Sequence, residues 1–214
     1  MINNLLFDLG GVIMDIRKED CVTAFEKLGL PDAAAYFGDF VQQEPFASLE
    51  SGHLSVREFH DILRPRFPQP VTNAQIDNAF QQFLKGIPVE RLQQLRSLRK
   101  RFNLYLLSNT NPIMWKNRIA MEFGKEGLNV HDYFDGITTS FAAKAMKPAP
   151  EIFEYAAATM EIVPDQTLFL DDSEANCRAA EALGWKAAHV PVGTSFMDVI
   201  DNYLTEHKCV MRRS

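Results

Sequence analysis

The apolar run Leu5-Leu6-Phe7 ends in Asp8, and Leu9-Gly10-Gly11 and Val12-Ile13-Met14-Asp15 follow it. A short apolar run closed by a carboxylate predicts a buried strand with Asp8 at its C-terminal lip. Beyond Asp15, up to about Pro88, apolar residues recur at helical spacing instead. Val22, Phe25 and Leu28 share one side of a segment closed by Gly29 and Pro31, both helix-stop residues. Further helices are predicted over 32–43, 55–63 and 73–85, with Ser55 and Asn73 as N-caps. The pattern then changes. A helix from Val89 to Arg101 leads into the strand-length run Asn103-Leu104-Tyr105-Leu106-Leu107, and from there strand and helix alternate. The later strands are Gly136 to Thr139, Thr167 to Leu170 and Ala187 to Val190, with helices from Pro150, from Glu174 and at the C-terminal end. Five strands in alternation with helices predict crossover units, hence an α/β fold with a parallel sheet and a helical unit inserted after the first strand.

Composition narrows this. At 214 residues and 46% hydrophobic content, the chain can bury a sizeable core as one large domain or one domain carrying an insertion. The net charge of −6 argues against a nucleic-acid or polyanion partner, which would want a basic face. A phosphate ligand must then be attracted locally, by a metal or a single lysine. Cys21, Cys177 and Cys209 are odd in number and far apart, with neither zinc nor disulfide spacing, so a reduced cytoplasm is the expected compartment. Met1 to Asn4 carries no basic n-region, and no run of about 18 apolar residues occurs, so neither export by a signal peptide nor a membrane partner is expected. Met211 to Ser214 reads as a solvated tail. Monomer and homodimer are both open.

Four stretches carry candidate chemistry. Asp8 sits where ligands bind in open α/β sheets, and Gly10 and Gly11 let the backbone swing a carbonyl toward the same spot, although Asp and Gly are also ordinary turn residues. Ser108-Asn109-Thr110-Asn111 follows the second strand; a hydroxyl and backbone N–H groups there can hold phosphate oxygens, or cap a helix. In Lys144-Ala145-Met146-Lys147-Pro148, Pro148 forces Lys147 into an extended approach that can aim its ammonium at the sheet edge, which leaves Lys144 as the solvated lysine. Asp171-Asp172 places two carboxylates at a strand tip. Such a pair needs a compensating cation, and hard oxygen ligands without His or Cys point to Mg²⁺. If the first, second and fourth strands are neighbours, all of these meet in one pocket.

The motifs Asp8-Leu9-Gly10-Gly11-Val12, Ser108-Asn109-Thr110, Lys147-Pro148 and Asp171-Asp172, in this order and around an insert of this size, resemble the haloacid dehalogenase superfamily of hydrolases. Phe7-Asp8-Leu9-Gly10-Gly11-Val12-Ile13 and Ser108-Asn109-Thr110-Asn111 are similar to the branch containing a bacterial glucose-1-phosphate phosphatase. The resemblance implies a three-layer Rossmann-like core of residues 1–15 and 89–214 and an α-helical cap of residues 16–88. It implies Asp8 as the nucleophile, and Mg²⁺ held by the Asp8 carboxylate, the Gly10 carbonyl and Asp172, with Asp171 assisting through water. Ser108 and the Asn109 backbone N–H would hold the phosphoryl oxygens, and Lys147 would neutralise charge beside Asp8. The expected function is Mg²⁺-dependent hydrolysis of small phosphorylated metabolites, sugar phosphates and specifically a sugar 1-phosphate, through an aspartyl-phosphate.

One departure matters. Most phosphatases of this family carry a second aspartate two residues after the nucleophile as general acid, and here that residue is Gly10. General acid help contributes about 10² to 10⁴ in rate. Three outcomes are open: a substrate with a good leaving group, a proton from Glu44, Glu50 or His53, or low turnover. Asp15 is instead expected to serve structurally at the hinge into the cap. The alternatives in other classes are a phospho-ligand-binding protein that turns over poorly and a 2-haloacid dehalogenase, which needs neither the acid nor the metal. A dehalogenase would leave Asp171-Asp172 an expensive pair of charges with no cation to serve.

Overall fold

A computed structural model describes the backbone of residues 1–38 and 42–211 and the side chains up to residue 207 outside the first gap. The strands are β1 (Asn4–Phe7), β2 (Asp15–Ile16), β3 (Leu84–Gly86), β4 (Asn103–Ser108), β5 (Gly136–Thr139), β6 (Thr167–Asp171) and β7 (Lys186–His189). Five of them form one parallel sheet in the order β5-β4-β1-β6-β7. β1 is the centre, with Leu5 opposite Leu104 on one side and Leu168 on the other. The chain runs outward from β1 through β4 to β5, then returns through β6 to β7 on the other side. The connections therefore diverge at the C-terminal end of β1, which opens a crevice at that edge of the sheet.

The strand residues divide between two faces with the period of two that a pleated strand imposes. Leu5, Phe7, Leu104, Leu106, Leu168 and Leu170 belong to one apolar cluster; Leu6, Leu107 and Phe169 belong to the other. Both faces are covered by helices, as a parallel sheet requires, so these strands read as unbroken apolar runs. Leu92, Leu95 and Leu98 of α5 (Val89–Leu98) join the first cluster, together with Phe196 and Ile200. Ile152, Phe153, Ala156 and Ala180 join the second, from the helices Pro150–Met160 and Glu174–Ala182.

Between β2 and β3 lie α1 (Lys18–Leu28), α2 (Phe46–Glu50), α3 (Val56–Leu63) and α4 (Asn73–Gln81). Phenylalanines hold this unit together: the Phe25 ring lies 5.7 Å from Phe37 and 5.5 Å from Phe46, and Phe46 lies 5.0 Å from Phe80. Aromatic pairs at such spacings contribute about 0.5–1.5 kcal/mol each beyond burial. Ser55 caps α3 as expected, in a capping box with Glu58. The cap of α4 is Thr72 rather than Asn73, because the Gln75 side chain reaches back to the Thr72 backbone and completes the box there.

Three expectations change. The helix expected to run to Lys85 stops at Gln81, and Leu84–Gly86 pairs antiparallel with Asp15–Ile16, tying the two chain crossings of the insertion together. Of the helix expected over 32–43, residues 39–41 lie outside the described residues, and the rest holds one short turn, Ala33–Tyr36, and a bridge from Phe37 to Gln42. The stretch 44–54, where no helix is expected, contains α2, whose Phe46 and Leu49 join the buried aromatic cluster and whose last residue is Glu50. The expected tail beyond residue 211 lies outside the described residues, as does the Cys209 side chain.

Candidate active site

Three strands deliver their next residues to the crevice. β1 ends at Phe7 and presents Asp8, β4 ends at Ser108, and β6 ends at Asp171. The Asp8 backbone N–H donates to the Leu170 carbonyl at 2.8 Å, so pairing with β6 fixes the nucleophile candidate one residue beyond the strand. Gly11 then turns with φ 77°, and a Cβ there would lie 2.1 Å from Asp172 Oδ2. Only glycine allows this backbone to close against the second carboxylate.

Lys147 is the hub. Its Nζ donates to Asp8 Oδ1 at 2.5 Å, to Asp171 Oδ2 at 2.7 Å and to the Leu107 carbonyl at 3.0 Å, which uses all three ammonium protons. Asn109 brackets the same residue from behind: its Nδ2 donates to the Lys147 carbonyl at 3.0 Å, and its Oδ1 accepts from the Lys147 N–H at 2.9 Å. The Asn109 side chain is thus committed to holding the lysine backbone. Lys144, as expected, is exposed. Asp171 is fully buried, and its Oδ1 accepts from the Ser173 N–H at 2.8 Å and Asn176 Nδ2 at 3.0 Å. Asp171 was expected to assist a metal through water. Both of its oxygens are engaged by protein donors, and its direct charge partner is the lysine.

Three carboxylates around one ammonium leave a negative excess in a buried place. Burial above all, and then Asp171 and Asp172, raise Asp8 to about 7 in spite of Lys147. Burial and Asp171 raise Asp172 to about 6. Burial alone would depress Lys147, but Asp171 and Asp8 outweigh it and hold the ammonium charged. A cation between Asp8 and Asp172 would relieve this excess, which is the physical sign of a metal position. Among the described residues no three His, Cys, Asp or Glu side chains converge as a ligand cluster. Two carboxylates with a backbone carbonyl and water suit Mg²⁺, which keeps several waters, and do not suit zinc.

Asp8, Gly10, Ser108, Asn109, Lys147 and Asp172 all line one cavity of about 280 Å³. The six expected first contacts are therefore brought together, with Asp171 beneath them. That volume is at the small end of ligand sites and fits a metabolite of sugar size. Ile16, Phe83, Leu84, Met114 and Ile119 supply an apolar wall. Sequence reasoning did not single out Ser173, Asn176 and Gln42, which also line the cavity, and gave Thr110 only as part of the Ser108-Asn109-Thr110 motif. Ser173 was within reach as the N-cap of the helix that starts at Glu174; nothing local marks Gln42.

The proton-donor candidates separate. Asp15 does not line the cavity; it pairs with Arg91 Nη1 at 2.7 Å, and the same nitrogen donates to the Ile13 carbonyl at 3.1 Å. Glu44 is exposed and accepts from Ser48 Oγ, and the exposed His53 ring shares a hydrogen bond with Ser51 Oγ. Glu50 alone of the three lines the cavity, where it is 7% exposed and burial raises its carboxyl to about 7, against a smaller opposing effect of Asn111.

A carboxylate just beyond the central strand, a lysine bridging two strand-end aspartates and a helical insertion after the first strand agree with a hydrolase class, and the chain belongs to the haloacid dehalogenase-like hydrolase family, whose model matches residues 2–184. It is similar to the D-ribitol-5-phosphate phosphatase of Bacteroides thetaiotaomicron, with 37% identity over 186 residues that cover 87% of this chain and 90% of the relative. Among solved structures it resembles a haloacid dehalogenase family enzyme of the same organism. That aspartate-to-alanine variant, in complex with magnesium and inorganic phosphate, has a TM-score of 0.86 and 37% identity over 90% of this chain and 96% of that one. A haloacid dehalogenase-like hydrolase of Porphyromonas gingivalis superposes with a TM-score of 0.86 at 32% identity, over 95% and 98% of the two chains.

Proposed function

We propose that this protein is a Mg²⁺-dependent phosphatase of small phosphorylated sugars or sugar alcohols, working through an aspartyl-phosphate on Asp8. The observation that carries this is the Lys147 bridge from Asp8 to Asp171, with Asp172 lining the same cavity as Asp8. Asp8, the Gly10 carbonyl and Asp172 would hold Mg²⁺, which would supply charge neutralisation between an anionic nucleophile and an anionic phosphate. The Ser108 hydroxyl and the Asn109 backbone N–H orient the phosphoryl oxygens, while Lys147 favours the ionised form of Asp8 and aims it. Asp8 attacks phosphorus, the substrate oxygen leaves, and water then cleaves the acyl phosphate. The helices of residues 16–88 act as a cap that excludes water and selects substrate through Gln42, Glu50 and the apolar wall. Free, buried Cys21 and Cys177 suit a reducing cytoplasm, and no helix among the described residues is long and apolar enough to cross a membrane.

The relative named above acts on D-ribitol 5-phosphate. A pentitol 5-phosphate therefore competes with the sugar 1-phosphate expected from the motifs, and both head the panel that tests this reading. Phosphate release is measured across sugar and polyol phosphates with Mg²⁺ and with a chelator. Metal-dependent release on at least one of them, lost in Asp8→Asn, is expected. Ligand-induced stabilisation without release would identify a binding protein, and halide release that survives the chelator would identify a dehalogenase.

A further inference from the structure

The phosphatase reading, on which this inference rests, leaves a proton unassigned. When the ester bond of an alkyl phosphate breaks, its oxygen departs as an alkoxide unless an acid meets it, and position 10 has no side chain to offer. Among the described residues, the titratable side chains lining the cavity are Asp8, Lys147, Asp172 and Glu50. The first is the nucleophile, the second is locked between two carboxylates, and the third faces the metal position. Glu50 is the fourth, delivered to the same cavity by α2 of the insertion.

Its placement is fixed from the core. The Ser140 hydroxyl accepts from the Thr110 N–H at 2.9 Å and donates to the Glu50 carbonyl at 2.6 Å, so the residue is tied to the loop that follows β4. Two residues on, Gly52 runs so close to the core that a Cβ there would lie 2.2 Å from the Phe141 carbonyl oxygen. The surroundings of the carboxyl are neutral: the Cys21 thiol of α1, itself pushed up by burial, and the Asn111 amide, whose Nδ2 is buried and makes no hydrogen bond of ordinary geometry. No cation among the described residues acts on Glu50.

We infer that the Glu50 carboxyl is the acid that protonates the leaving oxygen, in place of the side chain missing at position 10. In the first step Asp8 Oδ bonds to phosphorus, the phosphorus to leaving-oxygen bond breaks, and the Glu50 proton passes to that oxygen, leaving a carboxylate. In the second, the Glu50 carboxylate takes a proton from the water that attacks phosphorus, the bond to Asp8 breaks, and phosphate leaves with Asp8 and Glu50 restored. An acid in the uncharged form at neutral pH is what such a role needs, and burial keeps Glu50 in that form.

The experiment compares kcat/KM of the wild type and Glu50→Gln on two substrates with Mg²⁺, an alkyl phosphate such as D-ribitol 5-phosphate and p-nitrophenyl phosphate, whose phenolate leaves without a proton. The account expects a loss of about 10² to 10⁴ on the alkyl ester, a far smaller loss on the aryl ester, and partial recovery of the alkyl reaction in Glu50→Asp. An equal loss on both esters overturns the assignment. If the variants do not fold, the wild type still decides, since an enzyme with a working acid shows kcat/KM nearly independent of leaving-group basicity and a steep dependence contradicts it. A wild type inactive on every ester would overturn the phosphatase reading and this assignment with it; an active wild type with an equal loss in the variant overturns the Glu50 role alone.

Discussion

Replacing Glu50 by Gln should make the protein more stable above neutral pH, even as it impairs the reaction. The wild-type carboxyl is held at about 7 in the folded protein against an ordinary 4.5, chiefly because the site is buried. The folded state therefore binds this proton more tightly than the unfolded chain, and stability falls as pH rises from 4.5 to about 7, then levels off. Each tenfold in proton affinity is about 1.4 kcal/mol, so the full loss is about 3 kcal/mol. Gln is nearly isosteric, keeps an oxygen toward the Asn111 amide, and carries no charge to bury. Asp8 also titrates near 7, but it is common to both proteins and cancels in the difference. Urea unfolding of both proteins in chelator at pH 4.5, 6, 7 and 8 should give a stability difference near zero at the acid end. It should grow to about 3 kcal/mol in favour of Glu50→Gln at pH 8, or roughly 6 to 12 °C in Tm for a chain of this size. A difference that stays flat with pH, or a variant less stable at pH 8, would refute the reasoning.

Two further substitutions probe the rest of the site. Lys147→Met removes the ammonium that answers Asp8 and Asp171 and leaves both carboxylates buried without it; unfolding in chelator at pH 8 should show a loss of about 3–5 kcal/mol that shrinks as pH falls and Asp8 takes up a proton. A loss below about 1 kcal/mol would contradict the charge balance described for the site. Gly11→Ala places a Cβ 2.1 Å from Asp172 Oδ2 in a left-handed backbone, so Asp172 must move. Calorimetry should show Mg²⁺ affinity weakened by about tenfold or more, in the range seen when groups supporting a metal ligand are displaced, and unchanged affinity would remove Asp172 from the ligand set.

The sheet and its rim are legible in the sequence because both depend on local pattern. Runs such as Leu104 to Leu107 and Leu168 to Leu170 bury their side chains on both covered faces of the sheet, and Asp8, Ser108 and Asp171-Asp172 stand at the ends of such runs. The same directness fails in the insertion. β2 is two residues long and exists only because Leu84–Gly86 returns to meet it, a pairing about 70 residues away in the chain that no local period announces. Thr72 and Asn73 are both good caps, and the reach of Gln75 decides between them. Glu50 is one of three acidic or imidazole side chains in its stretch with nothing in sequence to rank them. What turns it inward is a hydrogen bond to Ser140 and the close passage of Gly52 over Phe141, both contacts about 90 residues apart.

The central claim is that Asp8 becomes phosphorylated during turnover, and it is open to direct observation. The enzyme is mixed with excess alkyl phosphate and Mg²⁺, quenched in acid within the first turnovers, digested, and mapped by mass spectrometry. A phosphoryl group on the peptide carrying Asp8, absent with chelator and absent in Asp8→Asn together with phosphate release, is the predicted result. Release that continues in Asp8→Asn, or a phosphoryl group carried by another residue, would contradict it.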